Sequence, residues 1–242
     1  MAADGPLDVL RASLQERLAP LRDVPPGALP PALLDIAVQR FPLGTQDVFL
    51  VLPTDWEELR HEEGGAGRPV PYWARPWPSG LALAGALASG VAGDLRGRRV
   101  LELGCGLAAP SVVAARAGAR VLATDGAADA VAFAAHTLAL NEVEAEVAHV
   151  DWAAHGDALA ARGPFDLVLA ADVLYTAANV DAALELWPRL VAPDASLLLA
   201  DPGRAGTRDY LGPARARFAV SAEPLAGAHA DVTLHRLRPC RR

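Results

Sequence analysis

The residues best suited to chemistry gather around one glycine-rich turn. Gly104-Cys105-Gly106-Leu107-Ala108-Ala109 follows directly on the apolar run Arg99-Val100-Leu101-Glu102-Leu103. Glycines let a chain turn tightly and bring backbone N–H groups against a ligand. After a strand, such a turn suits a nucleoside cofactor, and the spacing also fits the dinucleotide fingerprint with Ala109 in the third glycine position. Two acids bracket it. Asp125, 21 residues beyond Gly104, is placed either to accept the ribose hydroxyls or to cap a helix. Glu102, two residues before Gly104, is either an exposed strand-end charge or a countercharge to the ligand.

The acids separate two cofactor classes. A carboxylate at Glu102 repels a pyrophosphate and attracts an amine. S-adenosylmethionine carries an ammonium and a sulfonium and no phosphate, so it suits this acidic turn better than NAD.

The elements that position these groups read as alternating strands and helices. Arg99–Leu103, Arg120–Thr124, Val147–Val150, Phe165–Ala170 and Ser196–Ala200 are apolar strands; helices are expected over Pro110–Ala117, Ala127–Leu140 and Val180–Leu190. That order predicts a doubly wound, Rossmann-like α/β fold with a mostly parallel seven-stranded sheet, right-handed crossovers, and ligands beyond the carboxyl ends of the strands. Phe218–Leu225 and Val232–Leu237, with no helix between them, predict a closing antiparallel hairpin. Residues 1–70 are more irregular and read as an N-terminal helical arm or cap before a domain over 71–242. Leu7, Leu10, Leu14 and Leu18 predict a helix ending near Pro20, and Leu33–Arg40 a second short one. Asp47–Leu52 reads as a strand, and Glu62–Gly67 as a flexible loop.

Composition narrows the function further. The chain has 242 residues, 52% of them hydrophobic, a formal net charge of −7, 52 Ala, and 22 Arg with no Lys. Lacking lysine, it has no P-loop amine, forms no Schiff base and cannot be its own lysine substrate. The acidic total argues against a nucleic-acid partner, and no stretch reaches the ~20 apolar residues of a membrane span. No secretory signal is legible in residues 1–5, so a cytoplasmic location is expected. Cys105 and Cys240 are too few for a disulfide framework or zinc cluster. His61, His136, His149, His155, His229 and His235 show no metal spacing, and Arg236, Arg238, Arg241 and Arg242 read as a solvated tail.

Val100-Leu101-Glu102-Leu103-Gly104-Cys105-Gly106 followed by Asp125 resembles the first two motifs of class I, seven-β-strand, S-adenosylmethionine-dependent methyltransferases. Tyr72-Trp73-Ala74-Arg75-Pro76-Trp77, Val150-Asp151-Trp152, Asp172-Val173-Leu174-Tyr175 and Asp201-Pro202-Gly203-Arg204 narrow the likeness to lysine methyltransferase family 16. Within it, the branch typified by the electron-transfer-flavoprotein β-subunit lysine methyltransferases and their bacterial relatives is most similar. Thr176 stands where an acid often follows the tyrosine, and Ala108 where glycine is common.

The resemblance implies transfer of a methyl group to a lysine of a partner protein, leaving S-adenosylhomocysteine, with a small-molecule amine as the alternative acceptor. Asp172 would orient the incoming amine and Tyr175 close the pocket, the two sharing one face of a first helical turn. Asp151 would accept from the adenine amine with Trp152 beside the ring, and Trp77 would cover the cofactor. Gly126 and Ala170 complete the cofactor set. Tyr72 and Trp73 form an aromatic wall toward the substrate, while Arg204 pairs with Asp201 or another acid, or contacts substrate. No metal is required, since the methyl donor is already activated; the number of protomers is left open.

Overall fold

The computed structural model describes residues 5–225 and 231–240; residues 1–4, His229, Arg241 and Arg242 lie outside them. The described residues form a two-stranded hairpin and a seven-stranded sheet. Along the chain come α1 (Pro6–Leu21), α2 (Pro31–Leu34), β1 (Ile36–Leu43), β2 (Gln46–Pro53), α3 (Trp56–Gly65) and α4 (Pro78–Ala88). The regular alternation follows: β3 (Arg99–Leu103), α5 (Ala109–Arg116), β4 (Arg120–Asp125), α6 (Ala128–Leu140), β5 (Glu146–His149), α7 (Trp152–Arg162), β6 (Phe165–Ala171), α8 (Ala177–Leu190) and β7 (Val191–Asp201). α9 (Ala205–Ala214), β8 (Phe218–Pro224) and β9 (Thr233–Pro239) close it.

The strand order is β5-β4-β3-β6-β7-β9-β8. β3 to β7 run parallel, and β9 lies antiparallel between β7 and β8, as the closing hairpin of the sequence implies. The order reverses between β3 and β6, so a crevice opens beyond their carboxyl ends. Alternation along the strands feeds two layers. Val100, Leu167, Leu169 and Leu198 face Leu83, Val112 and Phe133. Leu101, Val168, Leu197 and Leu199 face Leu159, Trp187 and Tyr210. Both faces are thus covered by helices, which is why these strands read as unbroken apolar runs.

The N-terminal segment departs from the sequence expectation in two places. Leu33–Arg40 is not a helix: α2 stops at Leu34, and Ile36–Leu43 pairs in register with β2 through a two-residue Gly44-Thr45 turn. Extending α2 would add only short helix, which gains little against its nucleation cost, whereas the hairpin buries Ile36, Leu43, Val48 and Leu50. Glu62–Gly65 is helical rather than loop. Asp55 caps α3 by accepting from the Glu58 N–H at 2.9 Å, and Leu59 and Glu63, one turn apart, are buried. Two helices over the sheet, α7 and α9, were not anticipated either.

The arm is built into the core. Leu14, Leu18 and Leu33 are completely buried in the same cluster as Val112 and Phe133. α6 also satisfies β2: Asn141 accepts from the Phe49 N–H at 3.0 Å and donates to its carbonyl at 2.6 Å, and Thr137 accepts from the Val51 N–H at 3.2 Å. His136, read from sequence as a scattered surface or helper group, is buried and bridges to Ser13 of α1 at 3.1 Å. Because arm and sheet share this core, Leu14→Ala is expected to cost about 3 kcal/mol and to lower the midpoint of a single urea transition. An early, separate transition of the arm would overturn that expectation.

Candidate active site

A cavity of about 620 Å³ lies at the switch in strand order, walled by the turn after β3, the ends of β4 and β5, the loop after β6 and the segment before α4. Backbone conformation builds its floor. Gly104, Gly106 and Ala108 all have positive φ, at 64°, 50° and 63°. A Cβ on Gly104 would stand 2.6 Å from Val173 Cγ1, and one on Gly106 3.2 Å from the Trp73 carbonyl oxygen. Ala108 supports the same turn in the left-handed region at a cost of about 1 kcal/mol. Gly206, in α9, meets the loop after β6 from the other side, since a Cβ there would lie 2.1 Å from the Leu174 carbonyl oxygen.

Both acids around the turn are buried. Asp125 is 9% exposed and its two oxygens accept from the Gly106 N–H at 2.8 Å and the Ala127 N–H at 2.9 Å. It is tied to the glycine turn rather than capping through its own helix position, which belongs to Ala127. Burial raises its pKa, and the N–H groups only partly offset this. Glu102 is 2% exposed, so it is no surface charge; it accepts a hydrogen bond from the Ser111 hydroxyl. Burial pushes its carboxyl up to about 8, Ser111 pulls against this, and Asp125 adds repulsion. The Cys105 thiol between them is driven up by burial and by the same two acids, and is inert as a nucleophile.

The other residues expected at the cofactor fall as follows. Gly126 and Trp152 line the cavity, with Trp152 edge-on to Trp187 at 5.7 Å. Asp151 lines it too, but one oxygen caps α7 by accepting from the Ala154 N–H at 2.9 Å, leaving the other for a ligand. Trp77 lines the mouth and donates from Nε1 to the Tyr72 carbonyl at 2.6 Å. Ala170 does not reach the cavity: it is completely buried in β6, and alternation hands the edge to Ala171.

Asp172 and Tyr175, expected to meet the methyl acceptor, are not on a helical turn. Asp172 takes φ 58°, and α8 begins only at Ala177 with Thr176 as its cap. Asn179 holds the loop in shape, donating to the Val173 carbonyl at 2.7 Å while its own N–H meets the Thr176 hydroxyl. Asp172 is buried and Tyr175 is half exposed, its ring 5.6 Å from Tyr72, which in turn lies 6.2 Å from Trp77. Trp73 is turned inward against Phe133 at 4.8 Å, so it contributes less to this rim than expected. Arg204 pairs with Asp172 and not with Asp201, whose carboxylate instead accepts from the Gly203 and Arg204 N–H groups, both at 2.7 Å.

One group of wall residues escaped the sequence reading. Arg22, at the end of α1, pairs with Asp129 of α6 and, at 3.1 Å, with Glu63 of α3, which also holds Arg68. All four line the cavity. Their charges lie 107 and 41 residues apart, so no local spacing could have linked them. Among the described residues, no three His, Cys, Asp or Glu side chains converge in a way that could hold a metal ion. Two buried acids at one end and an aromatic, acid-bearing rim at the other fit a nucleoside with a cationic tail, as in S-adenosylmethionine, and disfavour a pyrophosphate.

Comparison with known proteins agrees with this geometry. A family model described as lysine methyltransferase matches residues 74–209. The electron transfer flavoprotein beta subunit lysine methyltransferase of Xenopus laevis is 36% identical over 139 residues, covering 56% of this chain and 54% of that protein. Its counterpart in Danio rerio is 32% identical, covering 59% and 54%. This chain thus spans about half the length of the curated relatives it matches. Among solved structures, a T. thermophilus 16S rRNA methyltransferase in complex with AdoMet and guanosine superposes with a TM-score of 0.62 at 17% identity, over 85% of this chain and 51% of that one. The Synechocystis magnesium protoporphyrin IX methyltransferase with bound SAM gives 0.53 at 21%, over 76% and 97%. At these identities the likeness concerns the fold.

Glu102 supplies a test of the site's electrostatics. Its carboxyl holds a proton in the folded protein at pH values where the unfolded chain, with the ordinary value of 4.5, has lost it. Stability of the ligand-free protein therefore falls as pH rises from 4.5 to about 8 and levels off above, with Asp125 acting in the same sense. Glu102→Gln keeps a partner for Ser111 and removes the carboxyl's share. Urea unfolding at pH 5, 7 and 9 should show a flatter profile and a gain approaching about 4 kcal/mol at the alkaline end; an unchanged slope would show the carboxyl ionised within the fold.

Proposed function

Since this chain belongs to the lysine methyltransferase family, whose model matches more than half of it, we propose that it methylates lysine side chains of a partner protein with S-adenosylmethionine as donor. The observation that carries this reading is the meeting, in one cavity, of the buried acids Glu102 and Asp125 with Asp172 and Tyr175.

When bound, S-adenosylmethionine supplies a methyl group already activated on a sulfonium. Asp125 would hold the ribose, keeping its carboxylate oriented through Gly106 and Ala127. Glu102 would face the amino-acid end, where a cation turns a costly buried carboxyl into a paired one. The free oxygen of Asp151 and the Trp152 ring would frame the adenine. On the acceptor side, the amine must be neutral, desolvated and in line, so most of the catalysis is positioning. Asp172 accepts an N–H of the amine and fixes its lone pair. Tyr175, Tyr72 and Trp77, neighbouring rings at the mouth of the cavity, would pack against the acceptor's alkyl chain. Arg75 already covers the Trp77 and Trp56 faces, 5.1 Å from each ring, which leaves Tyr72 and Tyr175 as the aromatic surfaces open to the acceptor.

A protein acceptor rather than nucleic acid agrees with the net charge of −7. Among the described residues no helix is long and apolar enough to cross a membrane, and Cys105 and Cys240 are free thiols. Free thiols, with the Arg- and Ala-rich composition of a GC-biased genome, support a bacterial cytosol as the setting.

Calorimetry with S-adenosylmethionine, S-adenosylhomocysteine and NAD tests the proposal. Micromolar binding of the two sulfur nucleosides is expected, lost in Glu102→Ala and Asp125→Ala. At pH 7 binding should release a proton from Glu102, read from its dependence on buffer ionisation enthalpy. Asp172→Asn and Tyr175→Phe should retain binding and lose methyl transfer at least tenfold. Preference for NAD would overturn the reading, and label from the donor appearing only in small molecules would move the acceptor to a free amine.

A further inference from the structure

The carboxylate that the proposed reaction assigns to the acceptor amine is already covered by an arginine of the same chain. Arg204 reaches both oxygens of Asp172, through Nε to one and through Nη2 at 3.0 Å to the other. The Asp172 side chain is 6% exposed and that of Arg204 37%. Both partners are clamped by their backbones. Asp172, in the left-handed region, donates its N–H to the Ala200 carbonyl at 3.0 Å. Arg204 is the capping residue of α9, and its N–H is held by Asp201.

Other charged or titratable groups face the pair from each neighbouring element. Tyr175 comes from the loop after β6 and Tyr72 from the segment before α4. Asp201 ends β7, with His235 of β9 beside it, and Arg208 of α9 donates to the Gly203 carbonyl at 2.7 Å. Asp201 accepts from two backbone N–H groups at Oδ1, beside the positive end of α9, while its buried Oδ2 has no hydrogen-bond partner among the described residues. The Asp172–Arg204 couple itself carries no net charge.

That neutrality has a chemical consequence. A bare buried carboxylate favours the ammonium form of a nearby amine, which has no lone pair to give. Paired with a guanidinium, the same carboxylate presents no excess charge, and an arriving ammonium meets a like charge beside it. Its oxygens still have lone pairs beyond those used by the fork, so an N–H of an uncharged amine can be accepted. We infer that Arg204 is a positioning residue that discharges Asp172, so that the acceptor pocket selects the neutral, nucleophilic amine over its ammonium. This rests on the function proposed above and adds the means by which the site chooses the acceptor's protonation state.

The test uses n-butylamine, a lysine side chain without its backbone, titrated by NMR into full-length protein saturated with S-adenosylhomocysteine between pH 7 and 9. In the wild type the apparent Kd should tighten about tenfold per pH unit, following the neutral fraction of an amine whose pKa is about 10.4. In Arg204→Gln the ammonium should bind Asp172 directly, leaving Kd flat across the range. Arg204→Lys, which keeps the charge, should retain most of the slope. Asp172→Asn/Arg204→Gln, uncharged at both positions, should restore it, and it keeps the test decisive if the single variant does not fold. Equal slopes in wild type and Arg204→Gln, a flat wild-type profile, or no amine binding in any variant would overturn the inference while leaving cofactor binding intact. Failure of S-adenosylhomocysteine to bind the wild type would instead sink the function on which it rests.

Discussion

Residues 173 and 174 are gripped between two glycines, and the site depends on that grip. Val173 fills the space a side chain at Gly104 would need, and the Leu174 carbonyl lies where a side chain at Gly206 would stand. The turn after β3, the loop after β6 and the start of α9 are thereby fixed against one another at the point where the strand order reverses. The acids of the glycine turn and the Asp172–Arg204 pair hang on opposite ends of this contact. Their separation is set by close packing, of the branched Val173 side chain on the Gly104 backbone and of the Leu174 carbonyl on Gly206, and close-packed interiors leave little room for either contact to shift.

Against this rigid frame the electrostatics are deliberately unbalanced. Glu102, Asp125 and Cys105 are all buried together; burial raises the pKa of each, Asp125 raises those of Glu102 and Cys105 further, and Glu102 adds to that of Cys105. A cluster of this kind costs folding energy in a ligand-free protein and returns it when a cation arrives, the common pattern for groups held ready for a ligand. On the far side the balance is different. Asp172 is matched by Arg204, and Glu63 and Asp129 by Arg22 and Arg68. Glu102 and Asp125, by contrast, are held by hydrogen-bond donors alone, the Ser111 hydroxyl and the Gly106 and Ala127 N–H groups.

The N-terminal arm takes part in both arrangements. It contributes Leu14, Leu18 and Leu33 to the core, and Arg22 to the cavity wall. α3, which carries Glu63, is held by that same arginine, so arm, hairpin and α6 close one side of the cavity together. Seating the arm takes Arg22 and Glu63 out of water, a cost that their pairing with each other, with Asp129 and with Arg68 offsets.

Much of the fold was legible because it rests on local regularities. Strands covered on both faces are apolar throughout, and helices between them show their spacing, so β3 to β7 and the final hairpin are readable without coordinates. So is the class of ligand, since Glu102, the glycine turn and Asp125 lie within 24 consecutive residues and bear directly on one another. Three things were decided only in three dimensions. Ile36–Leu43 is a strand because its partner β2 and the core under the hairpin outweigh a local helical tendency. Asp172 and Tyr175 leave the helical path because Val173 and Leu174 must pass between two glycines distant in sequence. Arg204 meets Asp172, 32 residues away, instead of the nearby Asp201, whose Oδ1 accepts from the Gly203 and Arg204 N–H groups at the start of α9. Local pattern determines the alternating core of the sheet and marks the glycine turn as suited to a nucleoside; which charges meet across the cavity depends on how the chain returns to the same place.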